Sequence, residues 1–266
     1  MELMGLSAVV TGGHSGMGFA AARALAQKGC QVSVLGRRRE RLEQKAAEIG
    51  ARALVCDIAD ASAVHAALEA AEHTHGVARI LVHAAADARM HTLLASDGTP
   101  NDLAPLQQIV QTNVMGTLYV AREFSSRLAR APALATGLRG VIVNVSSIGA
   151  PDGVVGSTYA ASKGAVETLT LSLARELGPH RIRVVTIAPG GIDTEMFRAG
   201  AVEGTYAALR TMAPALGRAG RPDEFAALAV HVCENDYLNG CSIRLDGGMR
   251  IPYSFDLGGG MSQPGS

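Results

Sequence analysis

Tyr159 and Lys163 stand four residues apart at the end of the stretch S-S-I-G-A-P-D-G-V-V-G-S-T-Y-A-A-S-K, residues 146–163. On a helix that spacing puts both side chains on one face. A phenol ordinarily loses its proton near a pH of about 10. An adjacent ammonium favours the phenolate, so the pair can exchange protons nearer neutrality. The apolar run Val141–Val145 leads into Ser146 and Ser147, and a hydroxyl there could hold a carbonyl or alcohol oxygen. These residue types make a proton-transfer site for a carbonyl/alcohol pair. Such a site still needs a hydride carrier, which other parts of the chain must supply.

The first elements have the pattern of a dinucleotide site. Leu6–Val10 reads as a buried strand, followed by Thr11-Gly12-Gly13-His14-Ser15-Gly16-Met17-Gly18 and an Ala-rich helix to Lys28-Gly29. Strand, glycine turn and helix is the context in which glycines let the backbone approach a pyrophosphate at a helix N-terminus. Gly12, Ser15, Gly16, Met17 and Gly18 are therefore candidate cofactor-binding residues. The second strand, Gln31–Leu35, ends in Gly36-Arg37-Arg38-Arg39. An acid at that end would bind a ribose 2′-hydroxyl and repel a 2′-phosphate. Its absence, with guanidinium groups beside it, suits a 2′-phosphate and hence NADP(H), with NAD(H) the alternative. Arg37 is the first candidate and Arg38 the second.

Further strands follow at Arg52–Cys56, Arg79–His83, Gly140–Val145, Ile182–Ile187 and Ser242–Leu245. Asp57-Ile58, after the third, are placed at the adenine, although Asp57 could equally cap the helix that begins near Asp60. Ala84, after the fourth, is small enough for close approach to the cofactor. Residues 87–105 read as a loop on the substrate side. A long helix over Leu106–Leu128 carries Asn113, a polar residue on an otherwise apolar stretch that can distort the helix and hold a water near the lysine. Pro189, Ile192 and Thr194 would meet the nicotinamide end of the cofactor. Residues 195–216, with Met196, Phe197, Tyr206 and Met212, read as a substrate lid.

Composition narrows the class. The 266 residues suit one large α/β domain, taken as residues 1–251, with a Gly/Pro-rich tail over 252–266. Lys+Arg and Asp+Glu both number 24, which gives no electrostatic footprint for nucleic acid or an anionic membrane. The four cysteines show no metal spacing, and no metal is expected. The N-terminal residues do not read as a signal sequence and no apolar run is long enough for a span, so a cytoplasmic protein is the expectation.

In motif order the chain resembles the short-chain dehydrogenase/reductase family over about residues 5 to 250. The resemblance rests on T-G-x-x-x-G-x-G at 11–18, Asn113, N-x-S-S at 144–147, Y-x-x-x-K at 159–163 and P-G-x-x-x-T at 189–194. Arg139–Asn144, Arg183–Gly190 and Leu238–Gly247 are similar to the 3-hydroxyacyl-CoA dehydrogenase type 2 branch. The resemblance implies a single doubly wound Rossmann fold of about seven parallel strands. It implies Tyr159 as acid/base, Lys163 lowering its pKa and holding the nicotinamide ribose, a serine orienting the substrate oxygen, and Asn113 supporting a proton relay. It also implies a homotetramer. Three departures stand out. His83-Ala84-Ala85-Ala86 replaces the family's N-N-A-G, Gly36 replaces an acid of the type 2 branch, and the loop before Tyr159 is one residue short. Strand alignment selects Ser147 as the catalytic serine, whereas counting back from Tyr159 selects Ser146; Ser147 is preferred because strand pairing fixes position more firmly.

The expectation is an NAD(P)-dependent oxidoreductase interconverting a secondary alcohol and a ketone, with NADP(H) favoured. One alternative is an NAD-dependent 3-hydroxyacyl-CoA or hydroxysteroid dehydrogenase. Another, of a different class, is a non-catalytic cofactor-binding scaffold.

Overall fold

The computed structural model describes residues 1–200, 204, 208, 209, 212, 213 and 215–251. The tail over 252–266, Tyr206 and the Met196 side chain lie outside the described residues. The strands are β1 (Ser7–Thr11), β2 (Gln31–Gly36), β3 (Arg52–Val55), β4 (Ile80–His83), β5 (Gly140–Val145), β6 (Ile182–Pro189) and β7 (Ser242–Leu245). They form one seven-stranded sheet in the order β3-β2-β1-β4-β5-β6-β7, with every neighbouring pair parallel. This is the doubly wound arrangement expected of the sequence. Every residue of β1, β5 and β6 is buried, as continuous apolar strands are when helices cover both faces.

The helices are α1 (Gly16–Gln27), α2 (Arg39–Ala47), α3 (Ala61–His75), α4 (Leu103–Val110), α5 (Gly116–Arg130), the one-turn α6 (Gly149–Asp152), α7 (Ser157–Leu177), α8 (Glu195–Gly200) and α9 (Pro222–Glu234). On one face Ala8 and Val10 of β1 pack with Leu25, Leu42 and Phe225. On the other, Val9 packs with Val64, Val120, Phe124 and Leu173. This alternation along β1 is the period-2 pattern of a strand between two cores. Strand order reverses between the β1–β2 side and the β4–β5 side. Such a switch point opens a crevice at the C-terminal strand ends, where open α/β sheets bind ligands.

The helix expected over Leu106–Leu128 begins earlier, at Leu103, and is interrupted. A π-turn over Gln111–Met115 separates α4 from α5. Asp102 caps α4 by accepting from Ala104 N. Within the 87–105 loop, Leu94 and Pro100 form an isolated antiparallel bridge.

Candidate active site

β5 delivers Ser146 and Ser147 to the crevice, and α7 delivers Tyr159 and Lys163 beside them. The adjacent serines have different surroundings. Ser146 is buried and donates to the Lys163 carbonyl at 3.0 Å. Ser147 accepts from Gly149 N at 3.0 Å, and its side chain lies near enough to the Tyr159 phenol to act on its ionisation. Of the two serines, Ser147 is the one that acts on the phenol.

Burial pushes the Tyr159 phenol above its ordinary value, and Ser147 offsets part of that. The sequence argument expected the opposite direction, with Lys163 lowering it. The lysine's position explains the difference. Its Nζ lies 6.0 Å from the Tyr159 ring centroid and donates to the Val145 carbonyl at 2.9 Å. Burial in turn pushes Lys163 down from 10.5 to about 8, with Glu167 acting weakly against this.

Asn113, in the π-turn, is nearly fully buried and clamps three elements. Its Oδ1 accepts from Asp87 N at 2.7 Å, and its Nδ2 donates to the Asp87 carbonyl at 2.8 Å and to Ser162 Oγ at 2.9 Å. Ser162 Oγ donates to the Tyr159 carbonyl at 2.8 Å. Asn113 thus touches the helix that carries the phenol through Ser162, a residue the sequence motifs did not single out.

The place of the family's first turn asparagine is taken by His83. In register, Thr11, His83, Asn144 and Thr186 form a polar row across β1, β4, β5 and β6. Thr117 Oγ1 donates to the Asn113 carbonyl at 2.6 Å, so it accepts from His83 Nε2 at 3.1 Å. His83 Nδ1, 3.0 Å from Thr11 Oγ1, is then the acceptor, and Thr11 Oγ1 accepts from Ala85 N at 3.1 Å. Burial, then Lys163, pushes His83 down to about 3. It is a neutral imidazole tying the β1 and β4 ends to the π-turn.

The glycine turn makes a backbone-lined cradle that a side chain would fill. A Cβ on Gly12 would lie 3.0 Å from the Ala84 carbonyl, and one on Gly18 would lie 2.4 Å from Gly12 O. Gly16 has φ +53°, and Thr194 Cγ2 would be 3.1 Å from its Cβ, so the turn and the segment after β6 meet. Ser15 precedes α1 with no side-chain cap over the helix N-terminus. That cradle fits the pyrophosphate of a dinucleotide. Met17, partly buried, packs against the core beside the turn, and Ile58 is buried against Gly116. Asp57 accepts from Ala59 N at 3.0 Å, as a turn cap does. Pro189 closes β6, buried Ile192 bridges to Gly220, and Thr194 Oγ1 accepts from Phe197 N at 3.1 Å.

Beyond the cradle lies a basic cluster that the sequence showed only in part. Arg38 Nη2 is 3.0 Å from His14 Nε2, while Arg39 turns away to Glu43. Among the described residues Arg37 has no such partner; it is exposed and near enough to His14 and Asp87 to shift both. Arg41, on α2, joins the cluster by pairing with Glu195. A Cβ on Gly36 would meet His14 Nδ1 at 2.9 Å, so His14 occupies the space an acid at that strand end would need. His14 stands at an unspecified position within the glycine motif and Arg41 outside every motif, so the spacing singles out neither.

Among the described residues no three His, Cys, Asp or Glu side chains assemble as a metal group, and no helix is long and apolar enough to cross a membrane. One clasp spans the substrate side. Asp152 accepts from Arg244 Nη1 and Nη2 at 2.7 and 2.8 Å and from Ile251 N at 3.3 Å. It ties the segment after β7 to the loop between Ser147 and Tyr159. Arg244 holds the Asp152 carboxyl below its ordinary 3.8, so the clasp persists at neutral pH and is lost only as acid carries pH below that value. Asp152→Asn is expected to cost about 2 kcal/mol in thermal unfolding, the scale of charge-assisted hydrogen bonds, and to raise substrate KM more than it lowers kcat.

Residues 12–250 match the family model described as enoyl-(acyl carrier protein) reductase. The fold and cradle are those of a nicotinamide-dinucleotide oxidoreductase. The chain is 35% identical to a 3-hydroxyacyl-CoA dehydrogenase type-2 of Homo sapiens over 254 residues, covering 94% of this chain and 97% of that protein. It is 34% identical to a galactitol 2-dehydrogenase (L-tagatose-forming) of Cereibacter sphaeroides, with the same coverage of 94% and 97%. A solved 3-hydroxyacyl-CoA dehydrogenase type-2 from Mycobacterium avium superposes with a TM-score of 0.87 at 34% identity, covering 93% of this chain and 97% of that one. The chain belongs to the short-chain dehydrogenase/reductase family and is an oxidoreductase that uses a nicotinamide cofactor.

Proposed function

We propose that the protein interconverts a secondary alcohol and a ketone, preferring NADP(H), with Tyr159 as the acid/base. What supports this is Ser147 standing near enough to the buried Tyr159 phenol to act on its ionisation, with Lys163 Nζ 6.0 Å from the same ring. Gly12, Ser15, Gly16, Gly18 and the Ala84 backbone would hold the pyrophosphate side of the cofactor. Ile192 and Thr194 would face its nicotinamide end. When bound, the nicotinamide would supply or take the hydride. In the reducing direction Tyr159 gives its proton to the substrate oxygen while Ser147 hydrogen-bonds that oxygen. Lys163 holds the ribose and passes a proton back toward the phenol, on the side that Asn113 organises. The relatives' names, a hydroxyacyl-CoA and a polyol dehydrogenase, support a secondary-alcohol substrate. Exposed Leu103 and Val110 on α4 and Leu171 on α7 support assembly of several copies, a tetramer being our reading.

The cofactor preference rests on Arg37, Arg38 and His14 beside Gly36. kcat/KM with NADPH is expected to exceed that with NADH by at least roughly tenfold, the worth of one charge-assisted hydrogen bond. A Gly36→Asp variant is expected to lose NADPH without gaining NADH, because His14 fills the space. Adding His14→Ala should then turn the preference to NADH. A tenfold NADH preference in the parent would overturn the reading. The NAD-dependent hydroxyacyl-CoA alternative predicts that outcome.

A further inference from the structure

The basic cluster has an acid of its own. Arg41 Nη1 donates to Glu195 Oε1 at 3.1 Å, and Arg41 Nη2 pairs with the other carboxylate oxygen, a two-point contact across 154 residues of sequence. Glu195 opens α8, directly after Thr194, whose methyl covers Gly16 of the cradle. Beside Arg38 sits His14, whose buried Nδ1 has no partner among the described residues. Arg41, Arg38 and His14 therefore lie near one carboxylate, which belongs to α8.

We propose that Glu195 is an internal anion that holds α8 on the cofactor site and competes with the cofactor's 2′-phosphate for Arg41, so that binding a 2′-phosphate releases α8. The proposal rests on the NADP(H) reading above and adds a coupling between the cofactor's distinguishing phosphate and α8. A phosphate monoester carries more negative charge than one carboxylate and takes guanidinium groups in the same two-point fashion. Glu195 itself is well exposed, so its hold on Arg41 is weak enough for a ligand to break. A 5′-phosphate alone does not reach the strand-end arginines and leaves the pair intact.

The test uses the full-length protein with 2′-AMP and 5′-AMP as probes, read by calorimetry and by amide hydrogen exchange over residues 195–200. The parent should bind 2′-AMP more tightly than 5′-AMP. Glu195→Gln should tighten 2′-AMP about three- to fivefold, the range of an exposed ion pair, and leave 5′-AMP unchanged. Exchange over residues 195–200 should rise in the parent with 2′-AMP but not with 5′-AMP, and should already be raised in ligand-free Glu195→Gln. A parent with no preference for 2′-AMP overturns the NADP(H) reading and this coupling with it. A clear 2′-AMP preference that Glu195→Gln leaves unaltered, or unchanged exchange on 2′-AMP binding, overturns the coupling alone.

Discussion

A Tyr159→Phe variant should fold, bind NADP(H) as the parent does and lose about a thousandfold in kcat, within the range of one positioned general acid. The ring is buried in α7 beside Ser147, so phenylalanine keeps the packing and removes only the proton donor. Stopped-flow kinetics on a responsive ketone would give the rate, and a fluorescence titration would give the cofactor affinity. Turnover within tenfold of the parent would mean that another group supplies the proton. A loss of cofactor affinity equal to the loss of rate would mean that Tyr159 binds rather than catalyses. Ser147→Ala provides an internal comparison, since it should lower kcat while leaving the phenol in place.

Lys163→Met should separate stability from activity. The lysine is almost completely enclosed, and burial lowers it from 10.5 to about 8. Below about 8 the folded protein carries a buried ammonium that the unfolded chain would hold in water, so the charge is a cost there. Between 8 and 10.5 the unfolded chain keeps a proton that the folded chain has shed, and the parent's stability rises with pH through that window. Methionine has similar length and no charge, though it gives up the 2.9 Å bond to the Val145 carbonyl. The net expectation is a variant more stable than the parent at pH 7 by on the order of 1–2 kcal/mol, with the gap closing as pH rises from about 8 to 10.5. Turnover should fall at least about a hundredfold, as a proton relay and the ribose contact disappear. Urea midpoints for both proteins at pH 7 and at pH 10.5 check the sign. A variant less stable at pH 7 would show that the Val145 bond outweighs the buried charge.

The parts of the site that were legible in the sequence are local. Tyr159 and Lys163 are four apart on one helix, the glycine turn spans eight residues, and their residue types announce their chemistry. The parallel sheet was legible because its strands are buried on both faces and read as apolar runs. The rest depends on what the fold brings together. His14 and Gly36 are matched across the β1 turn and the β2 end. Arg41 and Glu195 meet across 154 residues, and Arg244 and Asp152 across 92, with no periodicity to mark either pair. The direction of the Tyr159 shift was misjudged for a related reason. Spacing on a helix shows that an ammonium can lie near a phenol, but not that both are buried or that the ammonium is engaged by a strand carbonyl. The serine choice likewise needed three-dimensional partners, with Ser146 spent on the Lys163 carbonyl and Ser147 near the phenol.

The claim that this is an alcohol/ketone oxidoreductase meets its most direct test in one assay. The parent enzyme is incubated with NADPH and a panel of cyclic, aliphatic and thioester-bearing ketones, and nicotinamide absorbance is followed. Ketone-dependent loss of absorbance, abolished by Tyr159→Phe, is the predicted result. Tight NADPH binding with no oxidation by any ketone, and no reverse reaction with the matching alcohols, would contradict it and leave a cofactor-binding scaffold as the better account.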